Sequence, residues 1–187
     1  MTILVDMDDV LEQLVPGWIR YVNERYGTNA VPQDVKNWDM SLAFPTLTKE
    51  QVYAAVSDDR LWSYVTPMPG AADALQRLKE AGHEIFIVTA SHYKTLPVKM
   101  ETVLFRYYPF LDWDHVIITS KKQLIRGDVL VDDGPHNLCG GSYHKILFDA
   151  YHNRTFDAAS IGATRVHNWQ EAEAEINRLS KITEAIQ

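Results

Sequence analysis

Asp6, Asp8 and Asp9 crowd three carboxylates into four positions directly behind the apolar run Thr2–Val5. Like charges this close repel, so the cluster costs stability unless a cation or a shared proton offsets it. A second acidic pair, Asp132–Asp133, closes the apolar run "DVLVDD", and Lys121 and Lys122 stand shortly before it. Thr89 ends another apolar run, "EIFIVT", and is followed by Ala90, Ser91 and His92. Oxygen-only ligands favour Mg²⁺, which takes a few carboxylates and otherwise keeps water or a substrate phosphate. A lysine and a hydroxyl beside such an ion suit a phosphoryl group, whose charge redistributes in a loose transition state. The chemistry these residues suggest is phosphoryl transfer.

For these side chains to meet, the elements carrying them must share one rim. "ILVD", "EIFIVT", "HVIIT", "DVLVDD" and "HKILFD" are short, apolar and rich in β-branched residues, as strands buried on both faces are; "ATRV" is a further candidate. Between them lie amphipathic stretches: "LEQLVPGWIRYVNERYG" ending at Gly27, "AADALQRLKEAG" ending at Gly82, and "TLPVKMETVLFRYY" stopped by Pro109. "NWQEAEAEINRLSKITEAI" opens with Asn168 and Glu171 as a capping box. Strands alternating with helices imply an α/β fold with a parallel sheet covered on both faces. Ligands then bind beyond the carboxyl ends of the strands, where Asp6, Thr89, Lys122 and Asp132 all fall. The segment 13–66 breaks the alternation. It is rich in aromatics and turn formers, contains one capping box (Thr48 and Gln51), and reads as a helical insertion after the first strand.

Composition narrows the partners. The chain has 187 residues, 46% hydrophobic and 23% charged, enough for one globular domain with a small insertion. A net charge of -7 argues against gripping polymeric nucleic acid. No apolar stretch approaches a membrane span, and the single Cys139 fits a reducing compartment. The start "MTILVDMDD" lacks the basic region of a signal peptide, so a cytoplasmic location is expected. A homodimer stays open, since nothing in the sequence sets the oligomeric state.

"DMDDV", the strand ending in Thr89, Lys122 and the pair Asp132–Asp133 resemble, in order, the four motifs of the haloacid dehalogenase-like phosphohydrolases. More narrowly, "VDMDDVL", "PMPGA", "IVTAS", "ITSKKQLIRGDVLVDDGP", "ILFDAYHN" and "HNW" are similar to segments of the 5′(3′)-deoxyribonucleotidases. The resemblance implies a Rossmann-like core over 1–12 and 67–187, a small helical cap over 13–66, Mg²⁺, and hydrolysis of nucleoside monophosphates. It makes Asp6 the nucleophile that forms an aspartyl-phosphate and Asp8 the acid/base. Lys122 and Thr89 hold the phosphate beside Ala90 and Ser91, and Asp133 is a direct metal ligand. Asp132 lies next to the ion, acting mostly through water, and the Asp8 backbone carbonyl completes the protein ligands. Asp9 stands where this family commonly has Gly, Lys121 where it has an acid, "TAS" in place of Thr-Ser-Pro, and Gly134 where close relatives have Arg.

Other readings fit less well. An EF-hand loop would need a ligand at Val10 and Gly at Leu11. A phosphoryl-accepting receiver domain places its lysine last, whereas here the acidic pair follows Lys122. His136, Cys139 and His144 invite a zinc site but lack a fourth regularly spaced ligand. His92 is expected to face solvent. Trp38 is expected in the insertion's own core; Phe44 and Trp62 could serve that core or touch a nucleobase. A phosphatase for another small phosphomonoester and a phosphate-binding non-enzyme are the alternative functions.

Overall fold

A computed structural model describes residues 1–186, and the side chains among them except those at 183, 184 and 186. Six strands form one parallel sheet: β1 Thr2–Val5, β2 Glu84–Thr89, β3 Val116–Ile118, β4 Val129–Asp132, β5 His144–Phe148 and β6 Ala163–Val166. Their order is β3-β2-β1-β4-β5-β6. β1 is central because it is aliphatic on both faces: Val5 lies in register with Ile87 on one side and Val131 on the other. The chain runs outward from β1 to β3 and then outward again from β4 to β6. The order therefore reverses between β1 and β4, and the crevice beyond their carboxyl ends is the natural ligand site.

β3 departs from the expectation of a buried strand. It is one of the two sheet edges, paired with β2, and Ile118 is 44% exposed. The other strands match their apolar runs closely. Helix α1 (Leu14–Tyr26) ends on Gly27 at φ 67°, a left-handed position glycine takes without steric cost. Helices α3 (Ala71–Glu80) and α6 (Trp169–Ile186) cover the sheet, and Asn168 Oδ1 accepts from Glu171 N at 2.9 Å, as the capping box requires. The stretch expected as one helix before Pro109 is broken in its winding. It comprises α4 (Leu96–Lys99), a π-helical turn (Met100–Leu104) and α5 (Phe105–Tyr107).

Between β1 and α3 lies a helical segment made of α1, the short α2 (Lys49–Tyr53) and four 3-10 turns. The Thr48–Gln51 capping box starts α2. The chain leaves and rejoins the sheet side by side: Gln13 N donates to Thr66 O at 2.8 Å, and Met68 N to Leu11 O at 2.7 Å. One hydrophobic core joins Ile3 and Val5 beneath the sheet to Trp18, Val22, Phe44, Val52 and Leu61 of this segment. A smaller cluster around Leu4, Val88, Leu130 and Leu147 fills the opposite face.

Candidate active site

Asp6 follows β1 directly, and its N–H continues the ladder by donating to Val131 O at 2.9 Å. Its side chain meets Lys122, which sits in the 3-10 turn Lys122–Leu124 after β3 and is 1% exposed. Lys122 Nζ is 2.5 Å from Asp6 Oδ1 and 2.6 Å from Asp132 Oδ2. The remaining oxygen of Asp132 accepts from Gly134 N at 2.7 Å and Asn137 Nδ2 at 2.9 Å. Asp132 is thus fully engaged and fixes the lysine. Gly134 leaves room for this arrangement: a Cβ there would lie 2.8 Å from Asn137 Nδ2, 2.9 Å from His136 Cε1 and 3.1 Å from Asp132 Oδ1, so a side chain would have to shift those chain ends.

Asp8, two residues on, makes a separate contact. Its Oδ1 is 2.5 Å from Nζ of Lys99, a fully buried residue at the end of α4. Lys99 Nζ also lies 2.7 Å from Ser91 Oγ, which in turn is 2.8 Å from Thr89 Oγ1. Behind it stands Glu12, also fully buried, with Oε1 3.5 Å from Lys99 Nζ. Neither Glu12 oxygen has a hydrogen-bond partner among the described residues.

The electrostatics of the rim are strained. Burial raises the pKa of Asp6 and Asp133 well above the carboxylate range, and Asp132 raises both further against the opposing pull of Lys122. Burial likewise pushes Asp9 up to about 8, with Asp133 adding to the shift. Burial also holds Glu12 well above its usual range, against Lys99. Asp8 differs: burial disfavours its charge, but Lys99 and hydrogen bonding outweigh it and the pKa falls. For Lys122, burial opposes the ammonium while Asp6 and Asp132 more than restore it. Carboxylate oxygens of Asp6, Asp132 and Asp133 lie within 4.8 Å of one another, as do ligand atoms of Asp9, Asp133 and His152. The Asp133 contact is the His152 ring at 3.2 Å, and burial lowers the pKa of that ring. An oxygen-rich group with surplus negative charge fits a divalent cation.

These groups open into a cavity of about 520 Å³, lined by Asp6, Asp8, Lys122 and Asp133 of the sheet rim and by Trp18, Tyr53 and Trp62 of the helical segment. Residues 1–182 match the family model "5' nucleotidase, deoxy (Pyrimidine), cytosolic type C protein". The chain belongs to this family. That membership makes it a phosphoric monoester hydrolase of the 5′(3′)-deoxyribonucleotidase-like type. A 5′(3′)-deoxyribonucleotidase of Clostridium acetobutylicum is 31% identical over 92% of this chain and 93% of its own length. One of Bacillus subtilis is 32% identical over 93% and 97%. The fold is also that of a haloacid dehalogenase-family hydrolase from Deinococcus radiodurans with bound phosphate and sodium (TM-score 0.62, 17% identity, 96% of each chain). A haloacid dehalogenase-like hydrolase from Streptococcus pneumoniae has a TM-score of 0.66 at 15% identity, over 94% of this chain and 97% of its own.

Within this type C nucleotidase-family chain, most of the expected site residues converge. Asp6, Asp8, Ala90, Ser91, Lys122, Asp133 and Trp62 line the cavity, while Thr89 and Asp132 lie fully buried behind it. Phe44 does not reach it. It is 1% exposed, packs in the core and borders a separate depression near Gly27 and Pro45. Trp38 is not the core residue expected: it is 56% exposed, with its ring edge-on to His136 at 4.6 Å and to His152 at 4.8 Å. The segment bearing it has Val35 and Met40 to bury, which leaves the indole to bridge across the cavity mouth. His92 is exposed, and His136, Cys139 and His144 form no ligand group among the described residues.

Asp9, where the family commonly has Gly, takes φ 54°. That is the left-handed region, which favours glycine, and Asp is among the few other residues that tolerate it. Here Oδ1 accepts from Val15 N at 3.0 Å, tying the turn to the start of α1. Sequence reasoning missed Lys99 and Glu12. Each is a lone charge in an otherwise apolar neighbourhood, "PVKM" and "VLEQLV", and that isolation was the available signal.

Proposed function

We propose that the protein hydrolyses nucleoside monophosphates, with deoxynucleotides the expected class, to nucleoside and phosphate through an aspartyl-phosphate on Asp6. The observation that carries this reading is a lysine-clamped carboxylate and an aromatic wall lining one cavity: Asp6 and Lys122 from the sheet rim, Trp18, Tyr53 and Trp62 from the helical segment. A phosphate fits the first wall and a base the second. The similar proteins of Clostridium acetobutylicum and Bacillus subtilis, both 5′(3′)-deoxyribonucleotidases, support it. On this reading the segment 13–66 acts as the cap that supplies the base wall, and the enzyme works in the cytoplasm.

In the first step an Asp6 oxygen attacks phosphorus while the ester P–O bond breaks and Asp8 passes its proton to the departing sugar oxygen. In the second, water attacks the phosphoryl group, Asp8 takes the water's proton, and the acyl-phosphate P–O bond breaks to regenerate Asp6. Lys122 holds the phosphoryl oxygens through both steps, and Ser91 and the Thr89 loop sit beside it. Asp6, Asp133 and the Asp8 carbonyl would hold Mg²⁺, with Asp132 behind them through water. When bound, the ion neutralises phosphate charge and depresses the pKa of Asp6.

The test is phosphate release from a panel of ribo- and deoxynucleoside monophosphates, assayed with Mg²⁺ and with chelator. Release that requires the cation is expected. Absence of release from every nucleotide, with release from other phosphomonoesters, would move the substrate class and leave the chemistry.

A further inference from the structure

Lys99 has no place in the two-step scheme, yet its ammonium lies at the centre of the site. Burying an isolated ammonium costs several kcal/mol, so a fold retains one only where its contacts are well made. Four surround this one: Asp8 Oδ1 at 2.5 Å, Ser91 Oγ at 2.7 Å, Glu12 Oε1 at 3.5 Å and the Trp62 ring centroid at 5.1 Å. They come from three parts of the chain: the loop between β1 and α1, which carries both Asp8 and Glu12, the loop after β2, and the last 3-10 turn of the helical segment. Directly after Lys99 the helix widens into the π-helical turn Met100–Leu104. Such turns are rare and occur frequently at functional sites. The backbone departs from regular winding just beyond the residue that reaches Asp8.

We infer that Lys99 is the positioning residue of the acid/base: it holds the Asp8 carboxyl by Oδ1 and turns it to the ester oxygen, away from Asp6 and Asp133. The inference rests on the phosphomonoesterase reading above. Its consequence is selective. A sugar alkoxide is a poor leaving group and needs the proton of Asp8 as the P–O bond breaks, whereas nitrophenolate departs unprotonated. A correctly aimed Asp8 therefore matters for nucleotides and hardly at all for p-nitrophenyl phosphate in the first chemical step. kcat/KM isolates that step, because it reports only events up to release of the first product.

The experiment compares kcat/KM for a deoxynucleoside monophosphate and for p-nitrophenyl phosphate at saturating Mg²⁺, in the wild type, Lys99→Met and Lys99→Arg. For Lys99→Met the nucleotide value is expected to fall on the order of 100-fold, as loss of general acid catalysis does, and the aryl value only about 5-fold. Lys99→Arg restores most of the difference, since a guanidinium can reach the same carboxylate. Equal losses on both substrates would reassign Lys99 to phosphate binding or packing; unchanged values would make it a bystander. Should Lys99→Met fail to fold by circular dichroism, Lys99→Gln, which removes the charge but keeps a polar chain end beside Asp8, reads the same ratio. A several-fold selective loss is expected there, and a uniform one overturns the inference. A wild type that cleaves alkyl and aryl phosphates but no nucleotide refutes the nucleotide reading alone, and glycerol phosphate then replaces it in the comparison.

Discussion

At the sheet rim Lys122 is 1% exposed, with carboxylate oxygens at 2.5 and 2.6 Å, and Asp132 has a partner on each oxygen. The helical segment contributes Trp18, Tyr53 and Trp62 to the same cavity, and a half-exposed Trp38 whose ring meets those of His136 and His152. The rim is directional. Hydrogen bonds and ion pairs in a dry setting lose most of their value when displaced by an ångström, so the groups that act on phosphorus are pinned from several sides. The aromatic wall is not directional. Apolar contact scales with area removed from water and tolerates rearrangement. The difference separates what the molecule must do to any phosphate ester from what it must do to choose one.

Asp6→Asn attacks the rim at its centre and has the largest expected effect. Turnover should fall below about 1% of wild type, since removing the nucleophile of covalent catalysis leaves only the binding terms. The fold should survive, because the substitution also removes one of several mutually repelling carboxylates. Phosphate-release assays beside thermal melts check both parts. Activity above a few per cent would take the nucleophile's role away from Asp6.

Lys122→Met comes next and strikes stability as well as rate. It leaves Asp6 and Asp132 buried without their cation, a defect that costs about 3–5 kcal/mol. Denaturant melts in chelator should show that loss, and added Mg²⁺ should recover part of it. An equally stable variant would mean the carboxylates share protons rather than this charge.

A third prediction uses pH. Burial holds Asp6 and Asp133 well above the carboxylate range and Asp9 at about 8. A folded-state pKa above the unfolded value stabilises the protein below the unfolded pKa, near 4, and that contribution is lost as pH rises through the folded one. Cation-free protein should therefore weaken up to about pH 8, where a divalent ion has most to restore. The difference in melting temperature between Mg²⁺-loaded and chelated protein should widen from about pH 6 to about pH 9. A constant difference would detach the ion from these carboxylates.

The two regions were also unequally legible in the sequence. At the rim, each strand announces itself by a short aliphatic run, and the residue after the run is placed by the sheet; Asp6, Thr89 and Asp132 needed no further information. Lys122 followed from its spacing to Asp132. In the helical segment the same kinds of residue carry no such index. Phe44 and Trp62 are both aromatic and both buried, yet only Trp62 lines the cavity, because tertiary packing of short 3-10 turns decides which ring faces which way. Trp38 reversed its expectation for the same reason. Lys99 was hidden by pattern: on an amphipathic stretch one lysine reads as solvated, and only the fold shows it turned inward to Asp8.

Within the aromatic wall Trp62→Ala should have the larger effect. One face of Trp62 already carries the Lys99 ammonium, so a base has only the other face to use. KM for nucleotides is expected to rise about tenfold, in line with about 1–3 kcal/mol per stacked base, while KM for p-nitrophenyl phosphate changes little. Equal changes on both would assign Trp62 to packing.

Trp38→Ala is the smallest and sharpest comparison. Trp38 borders the cavity but is 56% exposed, so its removal deletes little buried surface and should leave the melting temperature nearly unchanged. Its edge-on contacts to His136 and His152 are the aromatic link between the helical segment and the loops after β4 and β5, and such pairs are worth about 0.5–1.5 kcal/mol. A link that weak can hold the two sides together over a bound substrate without freezing them. The expected result is a KM increase of about two- to tenfold for nucleotides and aryl phosphate alike, with kcat held or raised as product leaves sooner. A loss confined to nucleotides would instead put the indole on the base, and the apolar wall would extend to the cavity mouth.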